Sequence, residues 1–244
     1  MNYREGLTGF VTGFVTGLLL FPLTTDGYGE PMLLKAIAGV LIFAAAVSLA
    51  AETNILFRED FEKPLGDRWQ PIKFEGLTDY QVKTDGSNSC LVGIAKGTAS
   101  ALATRLDLQP VAAMVIAWRW KIDRCPANGT DEPRMFDHSA RVFVSFDTFI
   151  GPPKTINYAW ANQVKTNSTF DHPSSSRARF IALRSGDVQA GGWVEEQRDL
   201  VADWKRLFPG EKMPRITGLG VFTDSDETKV SVTGAYDDIV LGRR

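Results

Sequence analysis

From residue 54 onward the apolar residues come in short runs, many alternating with polar ones, and Gly, Pro, Asn and Asp part the runs. In ARVFVSFD, Val142, Val144 and Phe146 fall on one side and Arg141, Phe143 and Ser145 on the other, the period of two of a half-buried strand. ILFREDF, YQVKTDG, SCLVGIAKG, SALATRLDL, MVIAWRWKID, TINYAWAN, ARFIALRS, GWVEEQRDL, ITGLGVFTD and GAYDDIVLG also carry strand character. Many short strands with turn residues between them predict an all-β sandwich. One stretch departs from the pattern. In EQRDLVADWKRLF, residues 196–208, Leu200, Trp204 and Leu207 are spaced by four and three, which predicts one short amphipathic helix ended by Pro209 and Gly210.

Ahead of this region the pattern changes. MLLKAIAGVLIFAAAVSLAAET, from Met32, has a lysine, an apolar run and small residues at Ser48 and Ala50, the anatomy of a secretory signal peptide cleaved after Ala50. Residues 8–23, TGFVTGFVTGLLLFPL, form another apolar stretch, shorter than the about 20 residues of a spanning helix. Two readings stand. Either residues 1–31 are an over-extended start and 32–51 a signal peptide, or both are hydrophobic segments inserted in the membrane as a transmembrane anchor. Each delivers a β-sandwich domain, 52–244, to the periplasm or the exterior, and the second attaches it to the inner membrane.

Charge narrows the partners. The chain has 27 basic and 29 acidic residues, well mixed, for a formal net charge of −2. Without a Lys/Arg block there is no footprint for nucleic acid. Cys90 and Cys125 are the only cysteines, and outside the cytoplasm such a pair forms either one disulfide or two thiols.

Candidate chemistry centres on aspartates. Asp224, Asp226, Asp237 and Asp238 interrupt a strand-turn-strand pattern in LGVFTDSDETKVSVTGAYDDIVL, residues 219–241. Two residues apart on a strand, Asp224 and Asp226 share a face about 6.6–7 Å apart, which suits a tight turn or a functional site. Glu195 and Glu196 are adjacent, so they diverge and do not form the carboxylate pair of a glycosidase. Calcium takes six to eight oxygen ligands. Asp60, Glu62, Asp85, Asp237 and Asp238 supply a structural calcium site if FREDFE and YDDIV lie side by side, with TDGSNS as a third loop. His138 and His172 sit in Asp-His pairs in the two longest polar loops and fall short of a zinc signature. No nucleophile elbow, P-loop or strand-linked GxGxxG is present.

Aromatic residues give a second candidate. Trp118 and Trp120 share one face of AWRW, and Tyr158 and Trp160 one face of NYAWAN. Sugar sites use flat aromatic faces with polar rims, so Trp120, Trp160 and Trp193 with Arg119, Arg141 or Asp137 form a candidate glycan site. The alternative for at least half of them is core packing.

WRWKIDR, DHSARVFVSFD, INYAWAN, GGWVEEQRDLVADWKRLFPG and GVFTDSDETKVSVTGAYDDIVL, in this order, resemble the bacterial family catalogued as domain of unknown function 3047, over most of residues 55–242. The family-like positions are Trp118, Trp120, Asp137, Arg141, the NYAW segment through Trp160, Trp193, Glu196, Arg198, Asp203, Thr223, Asp224 and Asp226. The resemblance implies a secreted or periplasmic protein and a jelly-roll sandwich similar to lectin and carbohydrate-binding domains. It implies no activity. Relatives carry a consecutive acidic pair before the arginine, where this chain has Asp137 and His138. The candidate binding residues are Trp120, Asp137, Arg141, Trp160, Trp193, Glu196, Arg198, Asp203, Asp224 and Asp226. The leading expectation is a noncatalytic module binding a glycan or another envelope component. The runner-up is a polysaccharide hydrolase or lyase using Asp137, Asp224 or Glu196 near Arg141, and the third is a structural subunit of an envelope or membrane assembly.

Overall fold

A computed structural model describes residues 54–243. The strands are β1 (Asn54–Glu59), β2 (Trp69–Glu75), β3 (Asp79–Asp85), β4 (Asn88–Lys96), β5 (Ala99–Leu108), β6 (Met114–Ile122), β7 (Arg141–Phe146), β8 (Lys154–Ala161), β9 (Thr169–His172), β10 (Ser175–Ser185), β11 (Val194–Asp199), β12 (Ile216–Asp224) and β13 (Ser231–Arg243). They form two sheets. One is six-stranded, β11-β6-β13-β4-β3, with β1 joining the second half of β13 on the side where β4 takes the first half. The other is seven-stranded, β2-β5-β12-β7-β8-β10-β9. Pairing is antiparallel except between β8 and β10.

The period of two builds the core. Val142, Val144 and Phe146 of β7, Ile156, Tyr158 and Trp160 of β8, and Leu219 and Val221 of β12 share one core with Ile116, Trp118, Trp120 and Ile122 of β6 and Tyr236, Ile239 and Leu241 of β13. Trp118 packs edge-on against Trp120 at 5.5 Å and tilted against Tyr158 at 5.1 Å. Helix α1 (Leu200–Leu207) adds to the same core through Leu200, Trp204 and Leu207. Its N-cap, Asp199, accepts the Ala202 N–H at 2.9 Å, and Lys205 and Arg206 sit in the last turn, where cations suit the helix dipole. Residues 196–199, which the sequence offers both to the strand GWVEEQRDL and to the start of the helix, are strand. They pair with Trp118–Val115 of β6, so the helix begins only after the Asp199 cap.

Two strands escape the sequence pattern for physical reasons. β2 contains Pro71, which cannot donate to a ladder and is tolerated because β2 is an edge strand bonded only to β5. β9 has four residues inside a polar loop.

Two expectations are corrected. Among the described residues no helix is long and apolar enough to cross a membrane, so the transmembrane helix is withdrawn. The segments that suggested it, 1–31 and 32–51, lie outside the described residues. Cys90 and Cys125 are free thiols. Leu91 and Trp120 flank Tyr236 from opposite sides, on strands running the same way. Cys90 lies one position before that level and Cys125 five positions after it, with β13 between them, far outside the about 7 Å Cα limit of a disulfide.

Candidate functional site

Alternation decides which side chains leave the core on the seven-stranded sheet. Leu219 and Val221 of β12 point inward, so Gly220, Phe222 and Asp224 face outward. Arg141, Phe143 and Ser145 do so on β7, and Ala101, Ala103 and Arg105 on β5. Register lines them up. Phe222 is opposite Ala101 on one side and Arg141 on the other, Arg141 is opposite Ala159, and Ile72 of β2 is opposite Ala101. Phe74, past a register shift in β2, brings its ring within 5.3 Å of Phe222. The Arg141 guanidinium lies over the Phe222 ring, 3.9 Å from its centroid, and 5.9 Å from the Phe180 ring.

This aromatic row is flanked on both sides. Beneath it run Gln70, Ala103, Gly220, Phe143 and Asn157, then Arg105, Gly218, Ser145 and Thr155. Gly220 is required by close approach, since a Cβ there would stand 2.5 Å from the Phe143 ring. Above the row both Glu75, which is exposed, and Asp224, which is buried, are opposite Ala99.

The connection 123–140 folds over one end of this outer face as a strap. Phe136 packs with Ala159 and Phe180, and the His138 ring stacks on Phe170 and Phe180 at 6.0 and 6.1 Å. Main-chain bonds hold it down. The Phe136 N–H donates to Glu227 Oε2 at 2.6 Å, the His138 N–H to Asp224 Oδ1 at 2.8 Å, and the Asp224 N–H back to the His138 carbonyl at 3.2 Å. Arg134 and Met135 have φ of 74° and 66°, a region costly for residues with a Cβ. Thr130 secures both, its N–H donating to the Met135 carbonyl at 2.7 Å and its hydroxyl to the Arg134 carbonyl at 2.9 Å.

At the foot of the strap three carboxylates meet. One oxygen each from Asp137, Asp224 and Asp226 lies within 4.8 Å of the others. Asp137 accepts the Glu227 N–H at 3.3 Å and the Thr228 N–H at 2.6 Å, and Asp224 Oδ2 is paired with Arg141. Burial pushes the Asp224 carboxyl up to about 7, against the downward pull of Arg141. Burial also raises Asp226, helped by the charge of Asp137 and a hydrogen bond to it. Carboxylates this close hold either a shared proton or a cation. The cluster can therefore coordinate a metal ion, and its all-oxygen donor set suits a hard cation.

His138 is wholly buried and burial lowers its pKa, although Asp131, 3.0 Å from its Nε2, pulls the other way. Asp131 also takes main-chain N–H groups from Asn162, Gln163 and Val164. Burial works to raise Asp131, but the His138 and backbone hydrogen bonds outweigh it and draw it down to about 2. The residue expected in a surface loop is thus an anchor of the strap.

The sequence candidates separate. Asp137, Arg141, Asp224 and Asp226 come together. Trp120 and Trp160 are 0% and 1% exposed, so they are core residues and offer no face to a sugar, a correction to the aromatic site. Trp120 donates to Glu196 at 3.2 Å, and Glu196 pairs with Arg184 at 2.7 Å. Arg198 grips Asp203 through two bonds of 2.9 and 2.6 Å, and the Tyr158 hydroxyl donates to Asp203 at 3.0 Å. These groups fasten β11 and α1 to the core. Trp193 lies on the six-stranded sheet, its ring 4.8 Å from Arg119 and 4.9 Å from Lys121.

The proposed calcium set also disperses. β1 does lie beside β13, but Asp237 is taken by Arg119 and Asn88, Asp238 by Arg119, and Asp85 by Lys121 and Trp193. Asp60 faces Arg58 at 3.7 Å, and Glu62 accepts the Ser89 N–H at 3.0 Å. Each acid is engaged, Asp237 and Asp238 sharing Arg119. Sequence reasoning missed Phe74, whose strand WQPIKFE is masked by Pro71, and Phe222, although ITGLGVFTD reads as a strand, because alternation does not say which face is outward.

The profile of the family described as protein of unknown function, DUF3047, matches residues 67–240. The chain belongs to this family. Among curated proteins none matches this family member. Solved structures similar to it include the family 11 carbohydrate-binding module of the cellulosomal cellulase Lic26A-Cel5E of Clostridium thermocellum, 10% identical, covering 79% of this chain and 95% of that one at a TM-score of 0.44. The CBM22-1 xylan-binding domain of Paenibacillus barcinonensis Xyn10C is 12% identical, covering 78% and 94% at 0.43. The family 30 module of the Clostridium thermocellum cellulase Cel9D-Cel44B is 12% identical, covering 78% and 99% at 0.43.

Proposed function

We propose that this domain is a noncatalytic glycan-binding module of the cell envelope, a jelly-roll-like sandwich located in the periplasm or outside the cell. The observation that carries the reading is the outer face of the seven-stranded sheet, where Phe74 and Phe222 lie between the exposed Glu75 and a polar row. A pyranose has one apolar face and hydroxyl-bearing edges. Its C–H face stacks on aromatic rings, while its edges find an acceptor at Glu75 and donors at Gln70 and Arg105.

Hydrolysis asks for two carboxyl groups set on either side of a sugar bond. Asp137, Asp224 and Asp226 instead converge on one another, and backbone amides engage Asp137. That arrangement fits a cation better than a reaction. The proposed ion is calcium, with the three aspartates completed by carbonyl or water oxygens. It would clamp the strap to the turn after β12.

The reading is tested by retention on a panel of immobilised envelope and plant polysaccharides. Phe74→Ala and Phe222→Ala are expected to weaken retention about tenfold each, near 1.4 kcal/mol. Retention by no polysaccharide, or release of shortened products, defeats the proposal.

A further inference from the structure

Exposure falls steadily along the aromatic row. Phe74 on the edge strand is 65% exposed, Phe222 is half-buried, Arg141 is 4% exposed and Phe180 1%. The row is open to solvent at β2 and roofed at β10, where Phe136 and His138 cover Phe180. The roof is a fixed wall. Its main chain is bonded to Glu227, to Asp224 in both directions, and to Asn162, whose side-chain amide donates to the Asp137 carbonyl at 2.8 Å. A chain lying along the rings from β2 therefore has nowhere to continue past Arg141.

Charge limits the occupant further. A uronate or sulfate stacked on these rings would need a free cation beside them. The cation that touches Phe222, Arg141, is paired with Asp224 and almost out of water. Lys73 is opposite Ser100 and so leaves by the other side of the sheet, and the exposed Arg105 lies four residues along β5 from Ala101, the neighbour of Phe222, about 13 Å away.

Resting on the glycan-binding reading above, we propose that the row takes the terminal residues of a neutral glycan, which enters over the β2 edge and stops against the strap. Phe74 and Phe222 stack on the last residues, and Arg141 is a positioning residue that fixes the Phe222 ring.

The test is titration calorimetry with cello-, xylo- and malto-oligosaccharides of two to six residues, each also with its reducing end reduced or its non-reducing end methylated. In the series that binds, affinity is expected to reach its limit by two or three residues and stay within about twofold to six, a change of under 0.5 kcal/mol. One of the two end modifications, and only one, is expected to weaken binding about tenfold, as is Phe74→Ala, which alters an exposed side chain and leaves the fold intact. Affinity that keeps climbing to six residues with neither end mattering overturns chain-end capture while leaving glycan binding in place. Tighter binding of oligogalacturonate than of any neutral series overturns neutrality. Binding of none of these probes, nor of the parent polysaccharides, defeats the glycan reading and this inference with it.

Discussion

Arg141 and Asp224 pair inside the protein, on adjacent strands and almost wholly out of water. Removing one member leaves the other charge buried. At pH 8, Arg141→Met is expected to cost about 3–5 kcal/mol in urea unfolding, and Arg141→Met with Asp224→Leu to recover most of the loss. A double variant no better than the single one would show that the pair is not the source of the cost.

The same aspartate gives the domain a pH response. The Asp224 carboxyl is raised to about 7, chiefly by burial, against about 3.9 in an unfolded chain. Between those values the folded protein holds a proton that the unfolded one has released. Its contribution is complete below the unfolded value and is lost as pH rises through the folded one. Asp226 is shifted the same way. In chelator, Tm is expected to fall from pH 5 to pH 8, and Asp224→Asn to remove much of that slope. Asp131, held at about 2, has the opposite sign and matters only in stronger acid. An equal slope in wild type and variant would rule this out.

Calcium is expected to raise Tm at pH 8, where the cluster is least protonated. Asp226→Asn and Asp137→Asn should abolish the shift. Asp238→Asn should leave it, because Asp238 is on the six-stranded sheet beside Arg119. Loss of the shift in Asp238→Asn would move the ion to the terminal strands.

Tryptophan and phenylalanine variants should part company. Trp160→Ala is expected to cost about 3–5 kcal/mol of stability with no change in glycan retention per folded molecule. Phe74→Ala should do the reverse. Trp160 reads as a sugar platform in the sequence because NYAWAN says which residues share a face and not which face is wet. Only the packing of β6 against β8, with Trp120 and Trp160 rings 5.7 Å apart, decides that. The strands themselves were legible wherever alternation is strict, as in β7, whereas the side-by-side placement of β1 and β13 enters only as a condition for a calcium site. Asp224 and Asp226 were legible as a pair. Their third partner was not foreseen as one, because Asp137 reaches them through a strap whose path depends on Phe136, His138 and Asn162 finding their places.

Both thiols should be inert. Burial raises Cys125 to about 12 and Cys90 above its ordinary value. A disulfide reagent is expected to label neither in the native protein within minutes and both in denaturant, and reduction should leave Tm unchanged. Rapid native labelling would contradict the burial of Cys90.

The thirteen residues of β13 are bonded to β6 along one side and to β4 and β1 along the other. β1, β4 and β6 all precede β13 in the chain, and none of the three is bonded to another. During synthesis from the N-terminus, three ladders therefore wait on a strand that emerges after all of their other members. Until then β4 and β6 present open edges, and such non-local pairing closes slowly. β13 is thus the fastener of the six-stranded sheet, which cannot close before that strand is in place.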